Sequence, residues 1–167
     1  MRQLERDAGQ GWRADVPPAA GGGIHIRELS GSDAERIGDR LPLARLGRHQ
    51  TYFVAWDGDD PVGHAHVAWS GTTIGVPEIQ DVFVRPEHRR RGVATELTLH
   101  AERAAAERGH TLISLSYGIA NNAARALYER AGFRNAGLDP QRVRGTVMLR
   151  NGPLEVDDTL IYLVKDL

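Results

Sequence analysis

Apolar and polar residues alternate in Ile24-His25-Ile26-Arg27-Glu28-Leu29, the period of a half-buried strand. Ser30-Gly31-Ser32-Asp33 then offers helix N-caps, and Ile37, Leu41 and Leu43 form the apolar stripe of a short helix. Gln50–Trp56 and Pro61–Trp69 read as strands joined by the hairpin turn Asp57-Gly58-Asp59-Asp60. A strand over Glu78–Val84 passes through Arg85-Pro86-Glu87-His88 into a helix. Its apolar side carries Val93, Leu97, Leu99, Ala101, Ala104 and Ala105, its polar side carries Glu96, Glu102, Arg103, Glu107 and Arg108, and Gly109 stops it. Thr111–Tyr117 predicts a buried strand, Asn122 to Ala131 a helix, and Arg142–Leu149 and Thr159–Val164 two last strands around an Asn151-Gly152 turn. The order is β-α-β-β-β-α-β-α-β-β. A strand, a crossover helix and another strand imply a parallel pair at the centre of a mixed sheet, so the fold class is α/β.

Residues 1–22 lack periodicity and run into Val16-Pro17-Pro18-Ala19-Ala20-Gly21-Gly22-Gly23. They are expected to form a disordered leader, with Trp12 as the residue for pinning it to the body or a partner. One domain is expected over residues 23–167, since 167 residues are enough for a single core and too few for two.

Composition narrows the partners. A net charge of −1 gives no global field to attract nucleic acid or an anionic membrane, so any anion site has to be local. Without cysteine there is neither a disulfide nor a thiolate metal site nor an acyl-cysteine nucleophile, which fits a reducing cytoplasm. No apolar run approaches the roughly 20 residues of a membrane span. His64 and His66 lie two apart and share a strand face, as sheet-face histidines or lining for a substrate; no third ligand is spaced to complete a metal site.

The chemistry concentrates where the Glu78–Val84 strand hands over to its helix through Arg89-Arg90-Arg91-Gly92-Val93-Ala94-Thr95. A helix start presents unpaired N–H groups and the positive end of the macrodipole, guanidinium groups give directed donors, and Gly92 admits a ligand close to the backbone. That is a grip for a phosphate-bearing cofactor. The run of a nucleoside-triphosphate loop and the three-glycine fingerprint of a dinucleotide fold are both missing.

Arg89-x-x-Gly92-x-Ala94 resembles the pyrophosphate loop of the GCN5-related N-acetyltransferases. Further on, Asn121, Ala124, Leu127, Tyr128, Gly132 and Phe133 match that family's N-x-x-A-x-x-L-Y-x-x-x-G-F element in the same order. The resemblance covers roughly Ile24 to Leu167. It implies the family's acyl-CoA N-acyltransferase fold, a central mixed, splayed sheet, with acetyl-CoA as cosubstrate and no metal. Carried over, Val82, Phe83 and Val84 offer backbone to the pantetheine arm, while Arg89, Arg90, Arg91, Gly92, Val93, Ala94 and Thr95 hold the pyrophosphate. Asn121 and Ala124 line the arm, Asn121 doubling as a helix N-cap, and Tyr128 protonates the departing thiolate or else packs beside Leu127 and Phe133.

Two carboxylates compete for the role of base. Glu78 and Asp81 stand at odd separation, so in a regular strand only one faces the acceptor. Asp81 adjoins the cofactor-pairing residues and is preferred; Glu78 is expected farther out, near the substrate mouth, and Tyr117, His25 and His66 are further options. The resemblance places the acceptor walls in roughly Ser30–His49 and Arg134–Asp158, with Arg45, Arg48 and His49 available to an acidic acceptor. The implied reaction is acetyl transfer from acetyl-CoA to a primary amine of a small molecule in a ternary complex. Acetylation of a protein N-terminus or lysine, or a non-catalytic acyl-CoA-binding module, are the alternatives. The terminal strands read as edges for a homodimer.

Overall fold

The computed structural model describes residues 23–37, 40–43, 49–149 and 152–167. Residues 1–22 with Trp12, residues 44–48 with Arg45 and Arg48, and Asn151 lie outside the described residues. Eight strands form one sheet: β1 (Ile24–Glu28), β2 (Gln50–Asp57), β3 (Asp60–Ala68), β4 (Glu78–Val84), β5 (Leu112–Gly118), β6 (Arg134–Asn135), β7 (Gln141–Leu149) and β8 (Gly152–Asp166). They lie in the order β1-β2-β3-β4-β5-β8-β6, with β7 also on β8. The helices are α1 (Gly31–Ile37), α2 (Val93–Glu107) and α3 (Asn122–Arg130).

Burial explains why the elements pack as they do. Phe53, Ala55, Val62, Ala65, Val67, Ile79 and Val84 meet Val93, Leu97, Ala101 and Ala105 of α2 in the main core, which Tyr128 and Phe133 extend. On the opposite face Ile37, Leu41 and Leu43 cover Tyr52, Val54 and Trp56. Leu41 and Leu43 follow α1 rather than belonging to it. Ser30 caps α1: the Asp33 N–H donates to Ser30 Oγ at 3.3 Å, and Ser30 Oγ donates to Asp33 Oδ2 at 2.7 Å. Arg27 grips the same buried carboxylate at 2.7 and 3.1 Å. Burial pushes the Asp33 pKa upward, but the Ser30 and Arg27 hydrogen bonds outweigh it and hold the group below its ordinary value.

The expected central parallel pair is β4–β5, and its extent matters. Only Glu78↔Ser114 and Ile79↔Leu115 are in register; beyond them the two strands separate. A bulge accompanies the separation. His66 opposes Gln80 while His64 opposes Phe83, so one residue of β3 faces both Asp81 and Val82, and Asp81 takes φ 50°.

Three expectations need correcting. The bulge reverses the side-chain parity of β4, so Glu78, Gln80 and Asp81 lie towards one face instead of alternating through Asp81. Glu102, read as solvent-facing, is buried because its Oε2 accepts from Lys165 Nζ of β8 at 2.7 Å. Finally, β8 begins at Gly152 rather than Thr159, and the two-residue β6 was not anticipated. β7 and β8 pair from Gln141↔Leu160 to Leu149↔Gly152, whereas β5 reaches only as far as Leu160, so the two strands continue past the sheet as an arm.

The register at the bulge gives a stability test. A Cβ on Gly63 would sit 2.7 Å from the Phe83 carbonyl oxygen, whereas one on Gly31 meets nothing within 4 Å. Gly63→Ala should therefore cost about 1 to 3 kcal/mol in urea unfolding, and Gly31→Ala should be close to neutral. Equal stability of the two variants would contradict this register.

Candidate functional site

The junction between β4 and α2 presents an open helix start. Pro86–His88 forms a single 3-10 turn, and Arg89 Nε returns to the Val84 carbonyl at 2.9 Å, fixing where the chain leaves the strand. Arg90 and Gly92 both adopt left-handed conformations, with φ of 60° and 81°. Gly92 is the N-cap of α2 and supplies no side-chain acceptor; the earliest helical hydrogen bond is Glu96 N–H to Gly92 O at 3.0 Å. The N–H groups of Val93, Ala94 and Thr95 thus face outward in the first turn with the positive dipole end behind them. A Cβ on Gly92 would meet nothing within 4 Å, so the space over these amides is open.

The three arginines differ. Arg89 braces the backbone. Arg91 is tied to His88 Nδ1 at 2.9 Å and to Asp57 at 3.5 Å. Arg90 is exposed and, among the described residues, its side chain makes no hydrogen bond or ion pair. Two guanidinium groups shape the loop, and one is left to meet a ligand.

Where β4 and β5 separate, a cavity of about 390 Å³ opens, lined by Glu78–Asp81 on one side and Ser116–Gly118 on the other. The arm walls it further: Val143, Val147, Val156 and Asp158 face inward. Direct register partners share a face, so Val143 with Asp158 and Val147 with Leu154 form one stripe of the arm. Arg142 and Arg144 hold Asp157 on the other side at 2.8 and 3.1 Å. Among the described residues, the lining contains three carboxylates, Glu78, Asp81 and Asp158, and no Lys, Arg or His.

Each carboxylate has its own setting. Glu78, expected at the mouth, is 4% exposed at the closed end of the wedge, where β4 still pairs with β5. Burial raises its pKa, while hydrogen bonds from the Gln80 side chain and the Thr73 backbone pull the other way. Asp81 lies farther out with about half its side chain exposed, and its Oδ2 is 3.4 Å from His66 Nδ1. Asp158 accepts from the Thr159 N–H at 2.7 Å, and its carboxylate occupies the space that a side chain at residue 118 would need. No sequence pattern announced Asp158 as a site residue; the period-two alternation of Val143, Gly145 and Val147 was the available signal for the arm.

The residues after β5 complete the surroundings. Asn121 caps α3 by accepting from the Ala124 N–H at 3.0 Å, which leaves its amide NH₂ for another acceptor. Tyr128 is buried, its ring 6.1 Å from that of Phe133, and desolvation pushes its phenol up to about 12. It does not line the cavity. Val82 and Phe83 are half-buried and Val84 is buried in the core, with no strand of the sheet on the β5 side of these three residues. His49 is described next to β2, and the cavity does not include it.

Comparison with known proteins agrees with this geometry. A family described as "Acetyltransferase (GNAT) family" matches residues 24–133. An uncharacterized N-acetyltransferase of Bacillus subtilis, YsnE, is 33% identical over 112 residues, covering 62% of this chain and 73% of that protein. A streptothricin acetyltransferase of Streptomyces lavendulae is 37% identical over 95 residues, covering 56% of this chain and 50% of that protein. The chain spans only 26% and 28% of the length of two further curated relatives. A crystal structure of a GNAT family acetyltransferase from Elizabethkingia anophelis with acetyl-CoA bound superposes with a TM-score of 0.59 at 17% identity, covering 86% of this chain and 98% of that one. With the splayed β4–β5 pair, the uncapped helix start and a family match spanning residues 24–133, well over half of its length, the chain belongs to the GNAT acetyltransferase family.

Proposed function

We propose that the protein transfers an acetyl group from acetyl-CoA to a primary amine of a small molecule, with both substrates bound together. The observation that carries this reading is a division of charge along one wedge. An uncapped helix start with a free arginine stands beyond the end of β4, and a cavity with three carboxylates and no cation stands between β4 and β5. The first suits a diphosphate and the second a cationic amine. The arm encloses the cavity with valines, which favours a compact acceptor over a protein chain.

Bound in the wedge, acetyl-CoA supplies an activated thioester carbonyl. The amides of Val93, Ala94 and Thr95 with Arg90 hold its diphosphate, and Arg89, Arg91 and Gly92 keep that loop in shape. The unpaired backbone edge at Val82, Phe83 and Val84 faces the pantetheine arm, with Asn121 and Ala124 opposite. Asp81 takes the proton that makes the amine nucleophilic. Tyr128, whose raised pKa keeps it protonated at neutral pH, gives a proton to the leaving sulfur. Glu78, deep in the wedge and engaged by Gln80, orients its neighbours instead of meeting the amine.

Thiol release from acetyl-CoA, measured against a panel of mono- and dicationic amines and lysine peptides, tests the whole reading. Turnover on small amines is expected; acetyl-CoA binding with no turnover on any acceptor would leave a binding module. Gly92→Glu places a carboxylate where the diphosphate sits and should weaken acetyl-CoA binding by calorimetry at least about 100-fold. Tyr128→Phe should lower kcat about 100-fold with little change in acetyl-CoA affinity. Asp158→Asn should raise KM for the amine about tenfold and leave KM for acetyl-CoA alone, the loss expected for one hydrogen bond to a charged group.

A further inference from the structure

Four polar side chains form a chain at the wedge: Glu78, Gln80 and Asp81 line it, and His66 is buried behind them. Gln80 Nε2 donates to Glu78 Oε1 at 3.2 Å, and Gln80 Oε1 lies 2.9 Å from His66 Nε2. His66 Nδ1 lies 3.4 Å from Asp81 Oδ2. Glu78 accepts from the Gln80 NH₂, so the face of Gln80 turned to His66 is the carbonyl. That carbonyl requires a hydrogen on His66 Nε2. In the neutral ring Nδ1 then carries a bare lone pair, buried and without a hydrogen-bond partner, 3.4 Å from a carboxylate oxygen that is also an acceptor.

Two acceptors 3.4 Å apart can share one proton. We propose that His66 is a positioning residue for Asp81, and that the His66–Asp81 pair, with its tautomer locked by Glu78 through Gln80, is the proton acceptor for the attacking amine. The proposal rests on the acetyl-transfer reading above and names the partner of its base. An ammonium N–H bond breaks, an Nδ1–H bond forms with Asp81 as the exposed relay, and the proton later leaves to solvent past Asp81. No other reactant is needed.

The surroundings favour a ring that is neutral before the reaction. Burial pushes the His66 pKa down, while Asp81 and Gln80 push it up, and the net direction is below the ordinary 6.5. The groups facing it are His64, Asp81, Glu78 and Tyr52, the last with its ring 4.7 Å away. His64 is itself driven down to about 3 by burial, with His66 adding to the shift, so it contributes no charge at neutral pH. A neutral ring with an open Nδ1 is the state a base requires.

Two experiments on the full chain decide it. Long-range nitrogen–proton correlation spectra of isotope-labelled histidine should show His66 as the Nε2–H tautomer at neutral pH, with Nδ1 taking up the proton on acidification. An Nδ1–H tautomer would overturn the proposal, and this readout needs no turnover, so it survives an error in the acceptor or in the reaction. For the enzyme, kcat/KM for the amine should fall on acidification with an apparent pKa below 6.5. His66→Gln should lower kcat about 10- to 100-fold and remove or move that acid limb, with acetyl-CoA affinity unchanged. In an Asp81→Asn background the same change should cost little more, because both act on one proton. An acid limb unmoved in His66→Gln, or costs that simply add, would reduce His66 to packing.

Discussion

One extra residue in β4 controls the architecture of the site. Opposite a single residue of β3, Asp81 and Val82 occupy two places, and Asp81 is held at φ 50°, a conformation that costs a non-glycine residue on the order of 1 to 3 kcal/mol. The core on either side fixes it there: Ile79 before the bulge and Val84 after it are both buried with α2, so the strand cannot slip to regain a regular ladder. The parallel pair to β5 ends after Ile79, just before this point. The same distortion turns Asp81 towards His66 and opens the wedge between the strands. Binding space and acid–base geometry are therefore one structural event.

Charge is partitioned around that wedge with little help from net charge, which is −1 for the chain. Anion binding rests on backbone. Two of the three loop arginines are spent on Val84, His88 and Asp57, so their contribution is to hold Arg90 and Gly92 in left-handed conformations and keep the amides of α2 aimed outward. Cation binding rests on carboxylates graded by depth. Glu78 is buried and hydrogen-bonded, Asp81 is half-exposed beside a histidine, and Asp158 lies on the arm.

The order of elements, the parallel pair and the glycine-led start of α2 were legible because each has a local cause: period-two alternation, a crossover helix, a glycine before a helix start. Asn121 was readable as a cap for the same reason. What local pattern does not carry is parity through a bulge. Glu78 and Asp81 seemed to face opposite ways because the count between them assumed a regular strand, and only the competing registers of Ile79 and Val84 reveal the extra residue. Glu102 was misread because its partner Lys165 is 63 positions away. The first half of β8 was missed because Gly152, Pro153, Asp157 and Asp158 have turn composition, which pairing with β7 overrides.

The arm places selection of the acceptor on the least supported part of the fold. Two-stranded ribbons are marginal alone, and this one pairs with the body sheet through β8 from Leu160 onward, with one further hydrogen bond from the Ile119 N–H to the Thr159 carbonyl at 2.8 Å. Its outer face is held by exposed ion pairs of Arg142 and Arg144 with Asp157, each worth little in water. Its inner face leaves Val147 and Leu154 largely exposed. An occupant with an apolar body would bury that stripe while its cation meets Asp158, so binding the acceptor and stabilising the arm are the same free-energy change. The cofactor grip, in contrast, is anchored by α2 in the main core and keeps its shape independently of the acceptor. Residues of the arm can therefore change without disturbing the bulge, the loop before α2 or the His66–Asp81 pair.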